Sequence, residues 1–435
     1  MTSDQECYVY IVPPGATEFV TAGRFNVTEG RDGNSLGAFV YGKRYLERPD
    51  AVELDPVELK LGDVRYETAR LKGFFGALRD AMPDYWGRRV IERNAGKESL
   101  GEFDYLMHGP DDRAGALGFG LNVEPPAPRR QFSRTLDLES LQITAEQIQN
   151  NDADKIESKA DARQVQELML EGTSMGGARP KAVVEDDESL WIAKFSMSQD
   201  RWNHPRVEHA FLNLAKTCGL DVADSKITTV AGKDVLMVRR FDRDKAENGY
   251  RRHRMVSALT LLKSDENPQA RENWSYLLLA DEIRRASASP GADLKELFGR
   301  MCFNAMVSNL DDHPRNHAIL AKDKSWRLSP AYDLTPTPSV AQDSRPLAME
   351  CGTRGRVARR DNLLTGCGRF LLSKEAAESI IESMIAKVRS EWDATLRRAG
   401  VSENDCAAIA SAFIYEGFFF SSANGLPREP PYANQ

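Results

Sequence analysis

The sequence predicts an α+β fold of two lobes, with an extra β-rich unit at the amino terminus. Three observations carry that expectation. Short apolar runs punctuated by Gly, Pro and Asp fill about the first 65 of 435 residues. Strand patterns with a single helix among them follow between about 178 and 241. From about 255 onward, apolar residues recur at the helical period.

Taken in order, ECYVYIVPP is a short strand closed by Pro13-Pro14, and FVTAGRF and GAFVYG are its successors. PDAVELDPVELKL reads as a loop-and-strand return, and KGFFGALRDAMPDYWGRRVIERN as helical pieces broken at Pro83. The Pro- and Arg-rich EPPAPRRQFSR is the best linker. A polar helix is expected from ITAEQIQNN to Gly172. Strands ARPKAVV, LWIAKF and DVLMVRRF come next, with the helix HPRVEHAFLNLAKTCG between the last two. SYLLLADEIRR, ADLKELFGRMCFNAMVSNL, KEAAESIIESMIAKVRSEW and ENDCAAIASAFIYEGFF are helical. The expected divisions are a β-rich subdomain at 1–130, an α/β lobe at 131–254 and a helical lobe at 255–435.

Composition narrows the function classes. The chain is 41% hydrophobic and 28% charged, as a globular protein is, and its net charge of −7 gives no bulk attraction to nucleic acid or anionic membrane. Six scattered cysteines lack metal or disulfide spacing and suit a reducing compartment. There is no signal-peptide pattern and no apolar run of about 18 residues, so a cytoplasmic protein without membrane contact is expected.

The segment GTSMGGARPK, 172–181, supports two chemistries. Its G-x-S-x-G pattern would make Ser174 a hydrolase nucleophile, but helical residues precede it and Arg179-Pro180 follow, where an elbow needs a strand and then a helix. Alternatively, Gly176 and Gly177 let a loop approach an anion and turn N–H groups toward it. The turn Glu185-Asp186-Asp187-Glu188 then reverses ARPKAVV into LWIAKF, setting Lys181 and Lys194 on adjacent strands. A hairpin, a lysine on its second strand and then a helix is the layout of a kinase amino-terminal lobe.

Lys194 interrupts an apolar strand and needs a carboxylate or phosphate partner. Glu208, at the edge of the apolar stripe of the next helix, is a candidate; a structural ion pair is the plainer alternative. Backbone groups of Arg239, Arg240 and Phe241 could bond an adenine edge at a lobe junction.

The segment SNLDDHPRNHA is more telling. Asp311 and Asn316 have the D-x-x-x-x-N spacing of a kinase catalytic loop, and Asp333 follows in AYDLTP. Phosphoryl transfer needs one carboxylate to orient a hydroxyl and accept its proton, and an amide and a carboxylate to hold Mg²⁺. An Asx-turn would explain Asp311-Asp312 without chemistry. A His–Asp metal hydrolase runs in the opposite order to Asp312-His313.

In this order GTSMGGARPK, LWIAKF, the Glu208 helix, VRRFDR, SNLDDHPRNHA and LSPAYDLTP, with MPDYWGRRVIER upstream, resemble the HipA family of serine/threonine protein kinases, toxins of bacterial toxin–antitoxin pairs. The resemblance implies a protein-kinase-like two-lobed fold and makes Asp311 the catalytic base. Asn316 and Asp333 become Mg²⁺ ligands, and Lys194 the phosphate-binding lysine. Gly176, Gly177, Ala178, Arg179 and Lys181 wrap ATP, Arg239 to Phe241 form the hinge, and His313 and Tyr332 are further nucleotide contacts. It recasts Ser174 as an autophosphorylated off-switch, since added negative charge beside ATP repels it. It further implies a substrate in translation, such as an aminoacyl-tRNA synthetase, and a HipB-like helix-turn-helix antitoxin through which operator DNA is reached. An idle nucleotide-binding corepressor and a small-molecule phosphotransferase are the rival functions.

Overall fold

Alternating buried and exposed residues build the first sheet. In the computed structural model, which describes residues 4–29, 34–95, 100–130, 132–134, 137–149, 179–338 and 341–420, strands β1 (Asp4–Ile11), β2 (Val20–Glu29), β3 (Ser35–Tyr41), β4 (Arg65–Thr68) and β5 (Leu117–Gly120) pair antiparallel in the order β4-β3-β2-β1-β5. Val9, Ile11, Phe25 and Phe39 are fully buried beneath it. PDAVELDPVELKL makes no strand of its own. Buried Asp55 accepts the N–H groups of Val57, Glu58 and Leu59 through Oδ1, which coils the chain until β4 begins at Arg65.

The expected break at Pro83 separates α1 (Gly76–Asp80) from α2 (Tyr85–Ala95). Helix α3 (Leu138–Gln149) begins the expected polar helix; the remainder of that stretch, and Ser174, Gly176, Gly177 and Ala178 of the loop after it, lie outside the described residues. The second sheet runs β6 (Ser133–Arg134), β7 (Lys181–Glu185), β8 (Leu190–Phe195), β10 (Lys233–Arg239), β9 (Ser225–Val230). Its hairpin turn closes with Asp186 N–H donating to the Ser189 carbonyl at 3.1 Å. Register then puts Lys181 directly opposite Lys194. Ala182, Val184, Ala193, Phe195, Val235 and Met237 share one face, covered by Trp86 and Val90 of α2 and by apolar residues of α3. Lys194 belongs to the other face by the alternation of the strand.

Lys181 is itself buried, with its ammonium paired to the Asp84 carboxylate. The other Asp84 oxygen accepts Gly87 N–H at 2.7 Å, and Trp86 donates to the Lys181 carbonyl at 3.2 Å. The PDYW segment thus fastens the start of α2 to the β7–β8 hairpin.

The chain divides into two compact units. One comprises Met1–Gln199, Lys226–Leu261 and Ala318–Trp326; the other Asp200–Ser225, Leu262–His317 and Arg327–Gln435. Helix α4 (His204–Thr217) therefore belongs with the helical end, where the sequence reading had put it in the α/β lobe. Its start is capped by the Asn203 side chain, which accepts Arg206 N–H at 3.1 Å. Arg206 donates to the Ala399 carbonyl, and Phe211 packs on Phe413 with ring centroids 5.5 Å apart. The same unit holds α5 (Tyr276–Ala286), α6 (Pro290–Met306), α7 (Lys374–Arg398) and α8 (Glu403–Ile409), and α4 packs on α7. Among the described residues no helix is long and apolar enough to cross a membrane.

Lys181→Met is expected to cost about 3–5 kcal/mol in chemical denaturation, because it leaves the Asp84 charge buried without its partner. Replacing both members by apolar residues should recover most of that loss. Unchanged stability of the single variant would remove Lys181 from the scaffold.

Candidate functional site

Helix α6 ends at Met306, and the chain turns sharply at Ser308, a non-glycine residue with φ of 50°. Such backbone persists only where its surroundings over-determine it. Here the Ser308 hydroxyl donates to the Ala412 carbonyl and accepts from buried Arg345, both at 2.7 Å. Thr337 N–H donates to the Ser308 carbonyl at 2.8 Å, which ties this turn to the segment after Asp333.

Two adjacent aspartates then take opposite positions. Asp311 is exposed, whereas Asp312 is 1% exposed. The Asp312 carboxylate accepts from the Tyr276 hydroxyl and bonds His317 Nε2 at 2.8 Å. Tyr276 in turn accepts from Asn304, whose side-chain oxygen accepts from Asn309, each at 3.1 Å. Burial, and then the Asp312 charge, hold the Tyr276 hydroxyl far above its ordinary pKa, so it stays a donor. Asp312 is thus committed inward, and Asp311 is left facing out.

Asn316 closes the loop. It lies in a short 3-10 turn, Pro314–Asn316, and its side-chain amide reaches the Asp311 carbonyl at 3.5 Å, while His313 N–H donates to that same carbonyl at 2.8 Å. The Tyr332 hydroxyl donates to the Arg315 carbonyl at 2.8 Å, which draws the Asp333 segment onto the loop. On its other side, Ala331 exchanges backbone bonds with Asp221 and Ala223 at 2.9 Å. Asp333 has φ of 59°, a second left-handed non-glycine residue.

The Asp311 carboxyl is held above the ordinary carboxylate range, first by lost solvation and then by the negative charges of Asp333 and Asp312; His313 and Arg271 act in the opposite sense. The structure therefore gathers Asp311, His313, Asn316, Tyr332 and Asp333 within one unit. Glu208 is buried on α4 of the same unit. A cation would relieve the mutual repulsion of two carboxyls, and one amide with one carboxylate suits Mg²⁺, which takes its remaining ligands from phosphates and water. Among the described residues no cluster of three or more His, Cys, Asp or Glu could hold a metal by itself.

In the other unit, Arg179, Lys181 and Lys194 lie on or beside the β7–β8 hairpin, with Leu236 of β10 opposite Lys194. Lys181 is a correction: its ammonium is spent on Asp84 and is not offered to a loop. Arg240 is another. Its N–H donates to the Leu190 carbonyl at 2.9 Å, and its buried guanidinium bonds Asp112, Asp242 and the Arg113 carbonyl. The Arg240 N–H and guanidinium are thereby engaged within the fold. Arg239, the last residue of β10, is exposed, and Phe241 is half-buried.

Sequence reasoning missed Asp312, Tyr276, Asn304 and His317. Tyr276 sits in a helix whose period marks it only as core, and Asp312 read as a turn former. The nearest signal was the pairing of Asp312 with histidines in one short loop.

With that geometry in view, two domain models match the chain: HipA-like C-terminal domain over residues 173–392 and HipA N-terminal domain over residues 21–120. The chain belongs to the HipA family. It is 26% identical over 351 residues to "Putative kinase Y4mE" of Sinorhizobium fredii, covering 77% of this chain and 80% of that protein. It is 27% identical over 189 residues to a "Putative kinase" of Haemophilus influenzae, covering 39% and 55%. In fold it is similar to HipA of Shewanella oneidensis MR-1, solved with HipB and its operator DNA, at a TM-score of 0.67 and 17% identity over 93% of this chain and 94% of that one. The mixed α/β build with several sheets is thus a HipA build.

Asp312→Ala in this HipA chain should cost about 3 kcal/mol in denaturant titrations, because it strands the buried Tyr276 hydroxyl and His317 ring. Asp311→Ala should move stability by less than about 0.5 kcal/mol. Equal losses would contradict the division between the two aspartates.

Proposed function

We propose that this HipA-family chain is an ATP- and Mg²⁺-dependent protein serine/threonine kinase. The observation that carries the proposal is the outward Asp311 carboxyl within electrostatic reach of Asp333, with the Asn316 amide on the same loop. Asp311 orients an acceptor hydroxyl and takes its proton, and a carboxyl held above its usual range is better matched to that task. Asn316 and Asp333 would hold Mg²⁺, which when bound offsets charge on the phosphates. Lys194 would steady the α- and β-phosphates, and Phe241 would pack beside the adenine. His313 and Tyr332 complete the nucleotide side. One compact unit carries the hairpin lysine and the other the carboxylates.

Family membership supports the finer reading. The chain acts as a growth-inhibiting toxin, phosphorylates a translation component such as an aminoacyl-tRNA synthetase, and silences itself by phosphorylating Ser174. A HipB-like helix-turn-helix antitoxin holds it and reaches operator DNA on its behalf; the Shewanella oneidensis HipA solved with HipB and operator DNA is the motivating relative.

Asp311→Asn should reduce phosphate incorporation by about 10²–10⁴-fold and remove growth inhibition. The same substitution should leave the metal-free protein as stable or slightly more stable near neutral pH. A carboxyl whose folded pKa is raised disfavours the fold once ionised, so deleting its charge removes a penalty present above that pKa. Mass spectrometry after incubation with ATP and Mg²⁺ reads Ser174 phosphorylation directly, and undiminished transfer by the variant would sink the assignment.

A further inference from the structure

We infer that Arg271 is a further catalytic residue, whose guanidinium meets the phosphoryl group in transit between ATP and its acceptor; this rests on the kinase reading above. Arg271 lies in the 3-10 turn Pro268–Asn273, and its backbone carbonyl accepts from Trp274 N–H at 3.0 Å and from Arg356 at 3.3 Å. Its guanidinium lies over the Trp274 ring, 5.3 Å from the centroid. Trp274 is itself fixed, since its indole donates to the Ser264 hydroxyl and the Asp265 carbonyl, both at 3.1 Å. Trp274 also meets His313, with ring centroids 6.2 Å apart and the rings tilted by 58°, and His313 N–H bonds the Asp311 carbonyl. A chain of ring contacts thus links the cation to the loop of the catalytic base.

Two further observations give the cation a task. Nε of Arg271 is buried and has no hydrogen-bond partner among the described residues. No carboxylate among them lies within ion-pairing distance of Arg271, in contrast to neighbouring Arg315, which pairs with Glu266. Yet Arg271 acts electrostatically on Asp311. A guanidinium held over an indole keeps its planar fork and gives up part of its rotamer freedom in advance, which suits two oxygens of one anion.

Chemistry decides which anion. The acceptor oxygen bonds phosphorus as the bond from phosphorus to the ADP oxygen breaks, and the acceptor's proton passes to Asp311. The reacting phosphorus is therefore one bond beyond the oxygen that Asp311 holds. A cation within reach of Asp311 is close to the equatorial oxygens on which charge spreads during transfer. Placed there, it contributes more to the transition state than to bound ATP.

The test uses the full chain with ATP and Mg²⁺. Arg271→Gln should lower both ATP hydrolysis and self-phosphorylation by about 10²-fold in kcat, while the KM for ATP changes little. Arg271→Lys should restore part of the rate. Affinity for Mg·ADP should stay within about threefold, whereas the added affinity given by aluminium fluoride, a mimic of the transferring phosphoryl, should fall at least about tenfold. Several results would overturn the inference: full rates in Arg271→Gln, slowed self-phosphorylation with unchanged ATP hydrolysis (a cation that reads the acceptor), or equal losses for Mg·ADP with and without aluminium fluoride. A wild-type chain that turns over no ATP overturns the kinase reading, and this inference with it.

Discussion

The burial of one carboxylate organises the candidate site. Asp312 is placed where water cannot reach it, and an unpaired charge there would be prohibitive. The Tyr276 hydroxyl and the His317 ring answer that charge, and both are anchored, one in α5 and the other at the end of the loop. The loop can satisfy Asp312 in one orientation only, and in that orientation the preceding residue points outward. Asp311 needs no contacts of its own to be correctly aimed. Ser308 and Arg345 do the same at the loop's entrance, where a left-handed residue is held by bonds on both faces.

The strand-rich unit uses the same device at a larger scale. Arg240, Arg243, Asp112 and Asp242 are all fully buried, and every ion pair among them joins side chains with essentially no exposure. Burial would raise the Asp242 pKa, but the two guanidinium groups overcome it and hold that carboxyl well below its usual range. Desolvation pushes Arg243 down to about 10, a measure of how dry the cluster is. Lys181 with Asp84 is a second buried pair in this unit. These buried pairs join the segment before β5 to the chain that follows β10, and the start of α2 to β7.

Much of this was legible in the sequence, for identifiable reasons. Strands such as LWIAKF and helices such as HPRVEHAFLNLAKTCG follow from their periods and caps, which depend on near neighbours. The break at Pro83 follows from proline itself. The spacing of Asp311 and Asn316 was visible because both belong to one short loop. Partnerships across long separations were not. Lys181 to Asp84, Arg240 to Asp112 and Tyr276 to Asp312 join residues 97, 128 and 36 positions apart, and nothing local distinguishes a buried cation from one waiting for phosphate. The same blindness hid the companions of α4, Ala399 and Phe413, which come much later.

The 112/240/242/243 charge cluster also bears on how such a chain can be cut or recombined. The two matched domains look separable as text, one at 21–120 and the other at 173–392. Their border is crossed by the Asp112–Arg240 and Asp112–Arg243 pairs, so the first fragment alone would carry Asp112 without either arginine, and the second would keep two arginines on Asp242 alone. Modularity in the alignment sense is therefore not modularity in the physical sense. Descendants of this architecture must exchange both pieces together, or rewrite the four charges at once.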